Sequence, residues 1–268
     1  MQIRFWGVRG SVPWATPTAI GHGCNTPCIQ LTDEQTNTTL ILDAGSGIVG
    51  LGARIANPPC DLAILLTHYH WDHLQGLPFL DQLYAPGWRP RIFAPDIGHR
   101  STGWLSTIFQ SPFFPVPYEQ LPNQPAVELI EPGDLHIPGF EISAIPLNHP
   151  GGALAYRVRG TTGDVVYATD HEFGRPEFDE PLADFVKGAA ALILDAHFTP
   201  EELPRYKGWG HSDWRSCAEF AAGNDVGGLW LFHHKPGRTD EELVRIRSNA
   251  QRVFRATDTA AEGDALQL

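Results

Sequence analysis

Four side chains that can bind a metal ion stand within six residues of the chain. They are His68, His70, Asp72 and His73, and they follow an apolar run at residues 62–66 that predicts a buried strand. Four such groups in so short a segment cannot all face one ion. On a loop that leaves a strand they can divide between two neighbouring ions. Neutral imidazole and carboxylate suit zinc, iron and manganese. The alternative is a solvated, histidine-rich loop.

A dinuclear site needs further ligands from distant parts of the chain. Three candidates stand at the ends of apolar runs that predict strands. They are His149 after residues 142–147, Asp170 after residues 165–169, and His233 after residues 229–232. Strand ends that meet at one edge of a sheet can assemble such a site. His234 competes for the last position, but the alternation of the preceding strand favours His233.

The segment at residues 65–76, LLTHYHWDHLQG, resembles the signature of the metallo-β-lactamase-fold hydrolases. Within that superfamily the chain is most similar to the phosphodiesterase branch. This branch includes ribonuclease Z and the carbon–phosphorus-lyase-associated cyclic phosphodiesterase. The resemblance extends from about residue 3 to about residue 254. It implies an α+β fold, a four-layer αββα sandwich, in a single domain over residues 1–268.

The resemblance also implies how seven ligands divide between two ions. One ion would be bound by the imidazoles of His68, His70 and His149. The other would be bound by Asp72, His73 and His233, and both would share the carboxylate of Asp170. Asp43 would lie below the metal loop and orient it by hydrogen bonds, although a helix N-cap is an equal alternative for this residue. The expected cofactors are two divalent cations, with zinc preferred to manganese or iron.

The segment at residues 207–213, KGWGHSD, resembles a ribonuclease Z-type motif. In that motif a histidine, followed by serine and usually threonine, stands beside the metals as a proton donor. His211 and Ser212 match the pattern, whereas Asp213 departs from it, so helix capping is an alternative role for Ser212 and Asp213. Asp195 matches an acidic residue that orients this histidine in the family. A carboxylate behind an imidazole sets its tautomer and raises its basicity.

The composition bears on partners and location. The formal net charge of −12 repels polyanions unless a basic patch offsets it, so a small anionic substrate is favoured over a long nucleic acid. Two bound divalent cations would return four positive charges at the site itself.

The four cysteines form no C-x-x-C pair, and the N-terminus does not resemble a signal peptide. No segment is apolar enough for a membrane span, so a reduced, cytoplasmic protein is expected.

Residues 81–126 interleave aromatic side chains with prolines. The prolines at residues 111–117 exclude a helix interior or a central strand there. We interpret the whole stretch as an excursion that folds beside the metal loop as a lid or pocket wall. A surface loop or a homodimer contact is the alternative. Its aromatic rings could stack on a nucleobase.

Periodicity predicts most of the remaining elements. Strands are predicted at residues 3–8, 28–32, 39–43, 126–130, 140–147, 153–158, 165–169, 191–194 and 229–232. A helix is predicted soon after Asp43, a second after Ser212 or Asp213 with its end at Gly223, and a last one after a capping box at Thr239. The strands at residues 28–32 and 39–43 should form a hairpin.

Together these features predict a dinuclear-metal hydrolase that cleaves a phosphodiester in a small substrate such as a cyclic nucleotide. Hydroxide held between the ions would attack, because two cations lower the pKa of a shared water to about 7. His211 would protonate the alkoxide leaving group, a contribution of roughly 10²–10⁴. The alternatives are a tRNA 3′-processing-type endoribonuclease, which lacks support from the acidic charge, and a hydrolase of another ester or lactone. A metal-binding sensor module is the non-enzymatic alternative.

Overall fold

The computed structural model describes residues 1–33, 38–55, 61–96 and 103–268, and these form fourteen strands in two sheets. The strands are β1 (Gln2–Gly7), β2 (Cys28–Asp33), β3 (Thr38–Leu42), β4 (Asp61–Leu65), β5 (Arg89–Pro95), β6 (Ala126–Ile130), β7 (Gly133–Ile137), β8 (Phe140–Leu147), β9 (Ala153–Val158), β10 (Val165–Ala168), β11 (Ala191–Asp195), β12 (Leu229–Phe232), β13 (Thr257–Thr259) and β14 (Ala265–Gln267).

Each sheet combines antiparallel and parallel pairing. The first has the order β14-β1-β2-β3-β4-β5-β6, antiparallel up to β3 and parallel from β3 to β6. The second has the order β13-β12-β11-β10-β9-β8-β7, parallel from β13 to β10 and antiparallel from β10 to β7. One apolar core lies between the sheets, and it includes Leu42 and Phe93 from the first sheet and Tyr167 and Ile193 from the second.

Helices cover the outer faces of both sheets. They are α1 (Gly47–Gly52), α2 (Trp104–Ile108), α3 (Pro176–Val186), α4 (Trp214–Gly223) and α5 (Asp240–Ala250). The α1 helix packs on the first sheet, and helices α3 to α5 pack on the second. Alternate residues of β11 pack on opposite faces of the second sheet. Ile193 faces the other sheet, whereas Leu192 and Leu194 face the helices. This is the four-layer αββα sandwich, so the predicted fold is confirmed.

The predicted strands and helices are present, with ends that differ by a residue or two. The antiparallel pairing of β2 with β3 confirms the hairpin, although residues 34–37, which connect the two strands, lie outside the described residues. Asp213 caps α4 by accepting from the backbone amides of Arg215 and Ser216, and Thr239 caps α5 in a capping box. None of the helices in the described ranges has the length and apolar character that a membrane crossing needs.

The stretch at residues 81–126 contains a strand that the sequence did not predict. Strand β5 lies between β4 and β6 in the first sheet, parallel to both. Prolines near its two ends, Pro90 and Pro95, hide the buried segment at Ile92, Phe93 and Ala94 from pattern analysis. The stretch is therefore not wholly an excursion. Residues 97–102 lie outside the described residues, and a lid role for this region stays a prediction.

Parallel pairing brings the ends of several strands to one edge of the sandwich. Leu194 of β11 lies opposite Ala168 of β10 and Leu231 of β12, so the residues after these three strands emerge side by side. Three of the residues that follow strands adopt the left-handed backbone conformation, each with φ of 59°, namely Asp43, Asp170 and His233. This conformation is uncommon for residues other than glycine. It turns each chain segment sharply where the strand ends.

Candidate metal centre

The described residues contain three clusters of potential ligands at this edge, and two of them comprise the seven predicted ligands. The first contains His68, His70, His149 and Asp170, with one donor atom of each within 4.8 Å of the others. Nδ1 of His70 lies 2.9 Å from Nε2 of His149. Oδ2 of Asp170 lies 3.6 Å from Nε2 of His68 and 3.6 Å from Nε2 of His149.

The second cluster contains Asp72, His73 and His233. Oδ2 of Asp72 lies 3.6 Å from Nε2 of His73 and 3.1 Å from Nε2 of His233. The other carboxylate oxygen of Asp170, Oδ1, lies 3.5 Å from Nε2 of His73 and 3.3 Å from Nε2 of His233. Asp170 therefore presents one oxygen to each cluster, which is the arrangement of a bridging carboxylate.

Two of the donor atoms lack hydrogen-bond partners. Nε2 of His68 and Nε2 of His73 are buried and have no hydrogen-bond partner. Buried polar atoms are normally paired, so these two atoms, one in each cluster, indicate a missing ligand in both. Four tetrahedral ligands of zinc at roughly 2.0–2.1 Å would lie about 3.3–3.4 Å apart, close to the spacings in both clusters. The residues present fit two divalent cations.

Charge gives an independent argument for cations. Four carboxylates, those of Asp43, Asp72, Asp170 and Asp195, are buried around the clusters. Burial opposes a charged imidazole, but Asp72 and Asp43 outweigh burial and raise the pKa of His73 well above its ordinary value. Uncompensated buried carboxylates are costly, so the centre requires positive charge. Metal ions bind in competition with protons and would supply it.

Most ligand imidazoles are oriented through their second nitrogen. Nδ1 of His149 donates to the carbonyl of Gly210 at 2.9 Å, and Nδ1 of His68 lies 3.0 Å from the hydroxyl of Thr67. Asp43 accepts from Nδ1 of His73 at 2.8 Å and from the Tyr167 hydroxyl at 2.8 Å, and it binds the amide and hydroxyl of Thr67. Asp43 thus lies below the metal loop and contacts it directly. No side-chain cap joins α1 to Ser46, its N-cap residue.

Replacing Asp43 by asparagine should weaken metal binding by roughly 10–100-fold, the usual effect of losing a group that orients a ligand. One amide oxygen cannot accept from Thr67, His73 and Tyr167 together, so the imidazole of His73 loses its orientation. Competition with a chromogenic chelator measures the affinity. Asp164→Asn is a matched control, because Asp164 stands at the opposite end of β10 and pairs with Arg157. Equal affinities in Asp43→Asn and the unaltered chain would contradict this expectation.

His211 and Asp195 lie beside the first cluster. Nδ1 of His211 lies 2.6 Å from Oδ2 of Asp195 and 3.9 Å from Oδ2 of Asp170. Burial opposes a charge on His211, but the Asp195 carboxylate outweighs burial and raises the pKa of His211 to about 9. The imidazole therefore carries a proton at neutral pH. A nearby divalent cation acts in the opposite direction and would bring the pKa down towards neutrality.

The sequence assigned no role to His197, which the structure places in the centre. Its ring is buried and stacks on the ring of His211, with 4.6 Å between the ring centroids. Its Nδ1 donates to the carbonyl of His233 at 2.9 Å. Oδ1 of Asp195 accepts from its backbone amide at 2.9 Å. One donor atom of each of Asp195, His197, His211 and His233 lies within 4.8 Å of the others, so these four residues form a further group that could hold a metal ion. The signal that could have found His197 is its position two residues after Asp195.

His234 and the histidines to which the sequence analysis assigned no role, other than His197, lie away from the clusters wherever the structure describes them. Nε2 of His234 donates to the carbonyl of Ala260 at 2.9 Å, so His233 and not His234 faces Asp72. His22 binds Asp240, His136 binds Glu141 at the surface, and His171 binds Asp179. His99 and Cys60 lie outside the described residues. The structure brings together all seven proposed ligands, His211 and Asp195, while their individual roles remain predictions.

Comparison with known proteins gives a consistent result. A family model described as "Beta-lactamase superfamily domain" matches residues 38–234, more than half of the chain. A ribonuclease Z of Bradyrhizobium sp. (strain ORS 278) is 24% identical over 100% of this chain and 99% of its own length. Among solved structures, the metallo-β-lactamase-fold protein YhfI of Bacillus subtilis is 20% identical with a TM-score of 0.75, over 99% of this chain and 98% of its own. A diphosphatase from the PhnP family is 18% identical with a TM-score of 0.74, over 99% and 96%.

The chain therefore belongs to the β-lactamase superfamily, with the metallo-β-lactamase fold, and this class of protein is a metal-dependent hydrolase. Within the superfamily it is a ribonuclease Z-like hydrolase of the phosphodiesterase branch. The resemblance read from the metal loop and from the segment around His211 is confirmed at this level.

Proposed function

We propose that this hydrolase cleaves a phosphodiester in a small substrate such as a cyclic nucleotide, with two zinc ions as cofactors and His211 as the general acid. The observation that carries the proposal is the placement of the His211–Asp195 pair directly beside two ligand clusters that share Asp170. When bound, two divalent cations lower the pKa of a shared water and neutralise phosphoryl oxygens. Imidazole supplies five of the seven ligands, which favours zinc over magnesium or calcium.

The chain's own residues supply the proton that an alkoxide leaving group needs. Nδ1 of His211 is held by Asp195, which leaves Nε2 as the nitrogen that can donate to the leaving oxygen. The imidazole is only 12% exposed, so water competes weakly for that proton. A thioester releases a thiolate, which is a better leaving group than an alkoxide and has less need of this donor. The His211–Asp195 pair therefore supports phosphodiester cleavage above thioester cleavage, whereas an ester or lactone also releases an alkoxide and would use the same donor.

A cavity beside the centre supports a small substrate. It has a volume of about 400 Å³, and its lining includes His149 and Gly210 on the side of the metal centre. Lys207 and Arg175 line the same cavity, as does Glu172, and the guanidinium of Arg175 pairs with Glu177 at 2.6 Å. One arm of a small phosphodiester would fit a space of this size. The ammonium of Lys207 suits an anion there, whereas the net charge of −12 disfavours a long polyanion.

The comparisons support both a small substrate and the RNA alternative. A diphosphatase acts on a phosphate-containing substrate, which agrees with a small anionic ligand. Ribonuclease Z acts on RNA, which favours a tRNA 3′-processing-type activity instead. The two proposals differ in the length of anion that the surface must bind.

We expect efficient cleavage of cyclic nucleotides or bis(p-nitrophenyl) phosphate and poor cleavage of precursor tRNA. The physical reason is that the net charge of −12 repels a long nucleic acid, whose binding depends on contacts between basic side chains and phosphates. The measurement is kcat/KM for each substrate with zinc, manganese or iron restored, at two salt concentrations. Efficient cleavage of precursor tRNA that weakens steeply with salt would establish the RNA alternative. Full metal binding without hydrolysis of any of these substrates would instead favour a sensor module.

A further inference from the structure

Glu172 binds the loop that carries His211. Its carboxylate is 8% exposed and accepts from the backbone amide of Gly208 at 2.8 Å through both oxygens, and from the amide of Gly210 at 2.8 Å. This loop, residues 207–211, ends on His211. The carboxylate therefore satisfies two backbone donors immediately before the proposed proton donor.

Glu172 is itself held on the metal side of the loop. Its backbone amide donates to the carbonyl of Asn148 at 3.0 Å, and the Asn148 side-chain amide donates back to the carbonyl of Glu172 at 2.6 Å. Asn148 immediately precedes His149, and Glu172 follows Asp170 by two residues. The segment that presents two proposed ligands therefore also supports the loop.

The backbone of Gly210, the last glycine of the loop, is tightly packed against the metal centre. Gly210 has φ of 86°, and a Cβ placed on it would lie 2.2 Å from Nδ1 of His149. Its carbonyl accepts from that same nitrogen at 2.9 Å. The loop contacts the metal centre at Gly210, and Glu172 binds its backbone at Gly208 and Gly210. A displacement of the loop would therefore move His211 relative to the ligands.

We propose that Glu172 is a positioning residue that holds His211 at the distance from the metal centre at which it can protonate the leaving group. This inference rests on the proposed role of His211 as the general acid. Glu172 acts through the amides of Gly208 and Gly210 and does not contact the reacting atoms. A carboxylate suits this position because both of its oxygens accept hydrogen bonds.

Glu172→Gln is the sharpest test, since it conserves size and replaces one acceptor oxygen by an NH2 group that faces backbone N–H donors. We expect hydrogen exchange at the amides of Gly208 and Gly210 to accelerate while two metal ions remain bound. Turnover of a phosphodiester with an alkoxide leaving group should fall by roughly 10–100-fold, as for other orienting groups. Turnover of bis(p-nitrophenyl) phosphate should fall much less. Glu180→Gln removes an exposed carboxylate of α3 and should change none of these.

A double variant separates positioning from a general structural effect. In the His211→Ala background, Glu172→Gln should have little further effect on the alkoxide substrate, because the group that it positions is absent. If Glu172→Gln does not fold, Glu172→Asp, which is one methylene too short to reach both amides, replaces it in the same measurements.

Each outcome decides one part of the inference. Unchanged exchange at Gly208 and Gly210 would overturn the contact as a support for the loop. Faster exchange with equal losses on both substrates would overturn the link to His211. If His211→Ala alone shows no preference between the two leaving groups, the proposed function fails at His211 and the exchange data still report on the loop.

Discussion

Replacing His211 by alanine should lower the turnover of phosphodiesters with alkoxide leaving groups by roughly 10²–10⁴, the range expected for loss of a general acid. Both metal ions should remain, because none of the seven proposed ligands is removed. Turnover of bis(p-nitrophenyl) phosphate should fall much less, since p-nitrophenolate leaves without a proton. The measurement is kcat on both substrates, with metal content determined on the same samples. His136→Ala is the control, because His136 lies at the surface and binds Glu141.

Asp195→Asn should give a milder form of the same selectivity with a change in pH dependence. The Asp195 carboxylate raises the pKa of His211, so its loss should lower that pKa. A general acid works in its protonated form, and activity on the alkoxide substrate is lost as the pH rises through its pKa. The alkaline limb of the profile should therefore move to lower pH in the variant. Equal losses on both substrates would identify His211 as a binding residue, and loss of metal would identify it as a ligand.

Removal of the metal ions should abolish hydrolysis and destabilise the fold. The carboxylate of Asp170 is buried beside His68 and His149, and burial lowers the pKa of both imidazoles. Each ion that binds only the folded chain stabilises it by about 4 kcal/mol at a free concentration 1,000 times its Kd. Thermal unfolding with a chelator, and again after zinc, manganese or iron is restored, measures this effect. The ion that restores both stability and activity identifies the native metal.

Asp170→Ala provides the matched control for chelation. Because Asp170 presents one oxygen to each cluster, its loss should weaken both sites, and the chelator should then change the unfolding temperature little. An unaltered chain whose unfolding temperature does not respond to chelation would contradict the metal centre. Loss of stability without loss of hydrolysis would show that the ions are structural.

Much of the fold and of the metal centre could be predicted from the types and the spacing of the side chains. The spacing of His68, His70, Asp72 and His73 is distinctive, and apolar runs before His149 and His233 mark strand ends that must bury their residues. Asp213 and Thr239 are good capping residues, so the starts of α4 and α5 follow from local chemistry. In these places local preference and long-range packing agree.

Other features depend on pairing that no local pattern encodes. His197 contacts His211 and His233 only because β11 and β12 pair in parallel and in a fixed register. Glu172 reaches the amides of Gly208 and Gly210 across 36 and 38 residues of chain. Strand β5 is apolar only in its middle, and the prolines near its ends interrupt the pattern by which a strand is recognised. These contacts follow from the tertiary structure, so a single sequence leaves them open.

The left-handed backbone at Asp43, Asp170 and His233 has a consequence for protein engineering. Residues other than glycine in this conformation cost of order 1–3 kcal/mol each, a cost that the surrounding structure must offset. Glycine would relieve the strain at any of the three positions, but it would delete a side chain of the centre. A library selected for heat resistance in the presence of a chelator, where bound metal adds nothing to stability, would therefore favour catalytically dead descendants at these positions. Any thermostabilising screen of this hydrolase should retain turnover as a second criterion.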